Sequence, residues 1–76
     1  MSELLEYLAR RLVDHPDSVR VEQVDEDDAC VLRLYVAPDD RGKVIGRNGR
    51  VVRALRTIVR AAGGGQGRRV LLEVVE

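Results

Sequence analysis

Followed in order, the apolar and polar positions of this chain divide it into six elements. Leu4, Leu5, Leu8 and Leu12 fall at helical spacing, which predicts a first helix with one apolar stripe. Ser2 is placed to cap it, and Glu3 and Glu6 occupy the first turn, where acids suit the helix dipole. The pattern stops near Asp14-His15-Pro16. Val19 and Val21 then alternate with Arg20 and Glu22. Beyond the acidic run Asp25-Glu26-Asp27-Asp28, Cys30, Leu32, Leu34 and Val36 alternate with Val31, Arg33 and Tyr35. A period of two on both sides of a polar turn predicts a β-hairpin.

Pro38-Asp39-Asp40 ends the second strand and offers a capping carboxylate to a helix of little more than one turn, Arg41 to about Ile45, which Gly46 terminates. After Gly49, Val51, Val52, Leu55, Ile58, Val59 and Ala62 form one stripe of a longer helix, and Arg53, Arg56 and Arg60 form the opposite one. The first stripe is expected to pack and the second to face solvent. Gly63-Gly64-Gly65-Gln66-Gly67 reads as a loop, since so many glycines make a helix too costly in backbone entropy. Arg68 to Val75 alternates again as a third strand. The order helix-strand-strand-helix-helix-strand needs a right-handed crossover that makes its two strands parallel, whereas the hairpin is antiparallel. An α+β fold follows, with a mixed three-stranded sheet and helices on one face, and residues 1–76 form a single domain.

Composition narrows the function. Of the 76 residues, 45% are hydrophobic, but Tyr7 and Tyr35 are the only aromatics, so a platform for stacking bases is nearly excluded. A single cysteine, Cys30, makes no internal disulfide and reads as a small buried apolar residue in a reducing compartment. The first residues lack the basic and apolar segments of a signal peptide, and no apolar run approaches the ~20 residues of a membrane span, so a cytoplasmic location is expected. His15 has no second histidine with which to share a metal and reads as a helix-end residue. The run Asp25 to Asp28 lacks the glycine and distal glutamate of a calcium loop and reads as a solubilising turn. No metal, cofactor or small-molecule substrate is expected. No nucleophile-base or paired-carboxylate arrangement supports an enzyme.

The formal net charge of zero hides a division. Residues 1–40 carry eleven acids and four bases, residues 41–76 nine bases and two acids, and no acid occurs between Arg41 and Leu72. Local potential rather than net charge steers a polyanion to a surface, so the balanced total leaves nucleic acid as a partner.

The stretch Gly42-Lys43-Val44-Ile45-Gly46-Arg47-Asn48-Gly49 joins the two helices inside this basic half. Gly46 and Gly49 permit a sharp turn and a close approach to the main chain, and the amides opening the long helix favour an anion. Lys43 and Arg47 add positive charge there. A Walker loop would need Lys then Ser or Thr, yet Gly49 is followed by Arg50-Val51; a dinucleotide fingerprint would need Gly-x-Gly-x-x-Gly after a strand, yet Gly42, Gly46 and Gly49 are spaced four and three apart.

Val44-Ile45-Gly46-Arg47-Asn48-Gly49-Arg50-Val51-Val52 resembles the KH signature, in which an apolar pair precedes a GxxG loop that clamps about four nucleotides. The element order is similar to the bacterial type II arrangement, and the resemblance to the small single-domain KhpA family covers the whole chain. Members commonly have Lys at the first loop position, where this chain has Arg47, followed by Asn48. The resemblance implies single-stranded RNA binding in a bacterial cytoplasm, as a chaperone or regulator of many transcripts. It implies that Gly42 and Ile45 floor a groove, Gly46 to Gly49 hold backbone, Arg53 and Arg56 line its wall, and Val44 is core. It also implies self-association, or a complex with a larger KhpB-like KH protein, so the rival reading is a docking subunit in which RNA is secondary.

The arginines at 50, 53, 56 and 60 also fit a solvated helix face. The absence of acids to pair with them favours a nucleic-acid role for Arg50, Arg53 and Arg56, and less so for Arg60, which lies farther from the loop. Gly63 to Gly67 reads either as a connector or as the groove's second lip.

Overall fold

The computed structural model describes residues 2–63 and 69–75. Helix α1 spans Ser2–Leu12, strands β1 and β2 span Arg20–Asp25 and Ala29–Tyr35, helices α2 and α3 span Arg41–Ile45 and Arg50–Gly63, and β3 spans Arg69–Val74. Single 3-10 turns at Pro16–Ser18, Pro38–Asp40 and Arg47–Gly49 join them. Ser2 already lies within α1. Gly63 is the last residue of α3, and the rest of the glycine run expected as a loop falls outside the described residues.

The sheet has the order β1-β2-β3. β1 and β2 pair antiparallel from Arg20 with Tyr35 to Asp25 with Cys30, and β2 and β3 pair parallel from Ala29 with Arg69 to Leu34 with Val74. The expected crossover is therefore present, and the segment that makes it contains α2, the glycine turn and α3.

Alternation decides which face each strand buries. Cys30, Leu32 and Leu34 of β2 and Val70 and Leu72 of β3 join Leu5 and Ala9 of α1, Val44 of α2, and Leu55 and Val59 of α3 in one core. All three helices thus cover one face. Leu5, Leu32, Leu34, Val44 and Val59 are fully buried, each contributing about 1.5–3 kcal/mol of transfer free energy. On the other face Arg20 stacks on Tyr35 at 4.3 Å, and Arg33 pairs with Glu22 at 3.5 Å.

The packing stripe of α3 is narrower than its sequence suggests. Leu55 and Val59 are buried and Val51 and Val52 half-buried, but Ile58 and Ala62 are exposed. Ile58 turns toward α1, where an apolar groove of about 440 Å³ is lined by Leu8, Leu12, Val51, Ala54, Leu55 and Ile58, with Arg11 and Arg50 also in its wall. Among the described residues no helix is long and apolar enough to cross a membrane, and no group of acids, His and Cys could hold a metal ion.

Candidate functional site

α2 has three working sides. Val44 points into the core. Gly42 and Ile45, three residues apart and so neighbours on the helix surface, are exposed and half-buried. Lys43 turns toward the end of α1, where its Nζ donates to Asp14 Oδ2 and, at 3.3 Å, to Asp40 Oδ1.

Among the described residues, Asp40 is a fully buried charged side chain. The sequence suggests that it caps α2, but it makes no side-chain cap bond there. Its carboxylate instead accepts the Asp14 amide at 3.2 Å and the His15 amide at 2.9 Å, besides Lys43. Two backbone donors left bare where α1 ends are a better match than its own helix, because a buried carboxylate needs several donors at once. Burial pushes the Asp40 carboxyl up, but the two amides and Lys43 outweigh it and hold the group below the usual carboxylate range. The bonds to Asp14 and Asp40 raise the Lys43 ammonium above its ordinary value. Lys43, expected as a cation of the loop, is thus shared between two carboxylates and braces α2 against α1.

The turn itself is built from three residues in conformations that ordinary side chains avoid. Gly46 closes α2 with φ 75° and ψ 170°, its amide donating to the Gly42 carbonyl at 2.8 Å. A Cβ on Gly46 would lie 2.4 Å from Val51 Cγ2 and 2.8 Å from the Val51 amide nitrogen, so glycine is required by space as well as by φ. Asn48 is left-handed, φ 57° and ψ 24°, which Asn tolerates better than most residues. Gly49 has φ 75°, but a Cβ there would meet only Val52 Cγ1, at 3.9 Å. Around Gly42 nothing lies within 4 Å of such a Cβ. The glycines therefore differ: Gly46 serves the fold, whereas Gly42 and Gly49 leave bare backbone beside open space.

Two of the amides expected to face an anion are engaged within the turn. Gly49 donates to the Gly46 carbonyl at 3.1 Å and Arg50 to the carbonyl of Arg47. The sequence could not show this, since it depends on the tight turn formed where Gly46, Asn48 and Gly49 take positive φ. Positive charge at the turn comes from side chains: Arg47, Arg50 and Arg53 are exposed and Arg56 is half-buried. Arg53, expected to line a groove wall, sends its Nη2 to the Asn48 carbonyl at 2.9 Å. Arg60, expected to face solvent, sends its Nε to the Val70 carbonyl at 3.1 Å and covers part of the outer edge of β3.

The fold also separates the charges. α2 follows the end of β2, and α3 returns to the start of β3, where the Arg69 amide donates to the Asp28 carbonyl of the acidic turn. The glycine turn and the acidic turn therefore sit at opposite ends of the sheet, and the basic helix start meets no acid of its own segment. Such a surface, with bare backbone flanked by arginines, suits an extended polyanion.

Known proteins are similar to this chain over its full length. The KhpA/KhpB KH-domain model matches residues 2–74. An RNA-binding protein KhpA of Halalkalibacterium halodurans is 49% identical over 76 residues, covering all of both chains, and that of Clostridium acetobutylicum is 45% identical over 75 residues, 99% of this chain and 100% of the relative. The protein of the same name from Aquifex aeolicus is 45% identical, covering all of this chain and 96% of the relative. Among solved structures, Era in complex with MgGDPNP and nucleotides 1506–1542 of 16S ribosomal RNA superimposes with a TM-score of 0.58 at 19% identity, over 96% of this chain and 28% of that one. That likeness is one of fold. With its helix-strand-strand-helix-helix-strand order, its glycine turn between α2 and α3, and these full-length relatives, the chain belongs to the KhpA/KhpB family of KH domains.

Proposed function

We propose that this chain binds single-stranded RNA as one KH domain spanning residues 1–76, without catalysing a reaction, and serves as an RNA chaperone or post-transcriptional regulator in a bacterial cytoplasm. The observation that carries the reading is the turn Gly46 to Gly49, with bare backbone at Gly42 and Gly49 and arginines on its flank. The relatives named for RNA binding support it. Gly42 and Ile45 form the floor, Gly46, Arg47, Asn48 and Gly49 meet the phosphate backbone, and Arg50 and Arg56 supply further charge. Lys43 contributes indirectly, by fixing α2. Without an aromatic platform, one groove of about four nucleotides binds in the micromolar range or more weakly.

Weak single-site binding, together with the exposed Leu12 and Ile58 of the α1–α3 groove, favours a second element of the function: a homodimer, or a complex with another KH-containing protein, that presents two grooves to one RNA. Affinity then rises steeply beyond about eight nucleotides, through effective concentration.

Replacing Arg47 and Asn48 together by Asp tests the first claim. Two carboxylates would face phosphates, while the exposed turn contributes little to the core. Gel shifts are expected to show binding lost and thermal melting to show the fold kept. Retained binding refutes the clamp. A strict monomer by light scattering, with affinity flat from four to twenty nucleotides, refutes the assembly and leaves the clamp standing.

A further inference from the structure

A flexible loop that must be rigid to bind lowers affinity in proportion to the time it spends elsewhere, since the apparent dissociation constant is the intrinsic one divided by the competent fraction. The turn from Gly46 to Gly49 is exposed to this loss. Its glycines carry no side chains to wedge it, and Asn48 holds a left-handed conformation that a non-glycine residue adopts only when its surroundings favour it.

A side chain from outside the turn hydrogen-bonds into it. Arg53, one turn along α3, donates from Nη2 to the Asn48 carbonyl at 2.9 Å, across five residues. That carbonyl belongs to the residue whose φ is unusual, so the bond acts where the turn has most to gain from being fixed. The guanidinium's positive charge also offsets the oxygen's partial negative charge, which would otherwise repel a phosphate. The Arg53 backbone carbonyl in turn accepts the Thr57 hydroxyl at 3.0 Å, so the residue sits within a bonded stretch of helix.

We propose that Arg53 is a positioning residue: it holds the Asn48 carbonyl and thereby keeps the Gly46–Gly49 turn in its binding conformation before RNA arrives, while Arg56, like Arg50, supplies charge to phosphate. This rests on the RNA-clamp reading above. The two arginines are alike in sequence and chemistry, and differ in that Arg53 bonds to the turn whereas Arg56 is half-buried one turn farther along.

The roles separate in two measurements on the full chain. Arg53→Met keeps the aliphatic stem and removes every donor. In the protein without RNA, 15N relaxation is expected to show increased motion at Asn48 and Gly49 in Arg53→Met and no change there in Arg56→Met, because a phosphate ligand has no work to do before RNA binds. With a single-stranded oligonucleotide, Arg53→Met is expected to weaken affinity about fivefold, the effect of one modest hydrogen bond on the competent fraction. Its dependence of log K on log salt stays parallel to wild type, whereas Arg56→Met flattens that slope by about 0.7, one single-strand phosphate. An unchanged turn in free Arg53→Met, or a slope flattened as much as in Arg56→Met, overturns the assignment. Failure of the wild type to bind single-stranded RNA would instead remove the clamp reading, and the relaxation result would still report whether Arg53 orders the turn.

Discussion

Gly42 offers a substitution whose effects on folding and on binding run in opposite directions. It lies in α2 with an ordinary helical φ, and a Cβ built there finds nothing within 4 Å. Ala therefore meets no clash and no strain. Replacing an exposed helical Gly by Ala stabilises by roughly 0.5–1 kcal/mol, through helix propensity and a less disordered unfolded chain. For a domain of this size that corresponds to a rise of about 2–8 °C in melting temperature. If the bare backbone at Gly42 is the floor on which RNA lies, the same methyl group fills part of the groove. Affinity is expected to fall about tenfold, the effect of roughly 1.4 kcal/mol of steric loss. Differential scanning calorimetry and fluorescence anisotropy with a labelled single-stranded oligonucleotide measure the two quantities. A variant that is more stable and binds less well cannot be explained by general damage. A lower melting temperature would refute the geometry of α2, and wild-type affinity would remove Gly42 from the groove.

Gly46→Ala is expected to cost about 3–5 kcal/mol, from overpacking against Val51 plus a backbone conformation that only glycine accepts, whereas Gly49→Ala, which meets no clash, costs about 1–2 kcal/mol; urea denaturation compares them. Lys43→Ala is expected to lower the melting temperature while leaving the salt slope of RNA binding at its wild-type value, because its ammonium is held by Asp14 and Asp40; a flattened slope would return Lys43 to the phosphate contacts. The depressed Asp40 carboxyl makes a contribution to stability that is fully present above its unfolded value near 3.8 and is lost as pH falls through its lower folded value. Asp40→Asn is expected to be less stable than wild type at pH 7, with a gap that narrows below pH 4 in denaturant titrations; a constant gap would refute the linkage.

The order of the elements was legible in the sequence because each is dictated by its own period and its own stops. Gly46 ending α2 and the parallel crossover follow from local pattern and chain handedness, whereas Val44 in the core was expected only from the resemblance to KH domains. The partners of the polar side chains were not legible. Asp40 looks like a cap for the helix that follows it, and only the tertiary fold brings the bare amides of Asp14 and His15, about 25 residues earlier, within its reach. Lys43, Arg53 and Arg60 all read as solvent-facing cations, because periodicity reports which way a residue leaves its helix and not what waits there. Ile58 fits the apolar stripe of α3 by spacing, yet it faces the α1–α3 groove and stays exposed. A stripe records the capacity for burial, and how much of it is used depends on how far the neighbouring helix extends.

The parallel pairing of β2 with β3 sets the order in which this protein can be made. Ala29 meets Arg69 and Leu34 meets Val74, forty positions apart, so the sheet stays two-stranded until residues 69–74 have been synthesised. Closing a loop of that length costs about 3 kcal/mol of chain entropy before the pairing returns anything, and folds dominated by such distant pairings cross their barrier slowly. The glycine turn lies wholly inside the loop being closed. A nascent chain thus presents its acidic hairpin first and completes its basic end only when β3 joins the sheet. During synthesis, the half of the protein that repels nucleic acid exists before the half that attracts it.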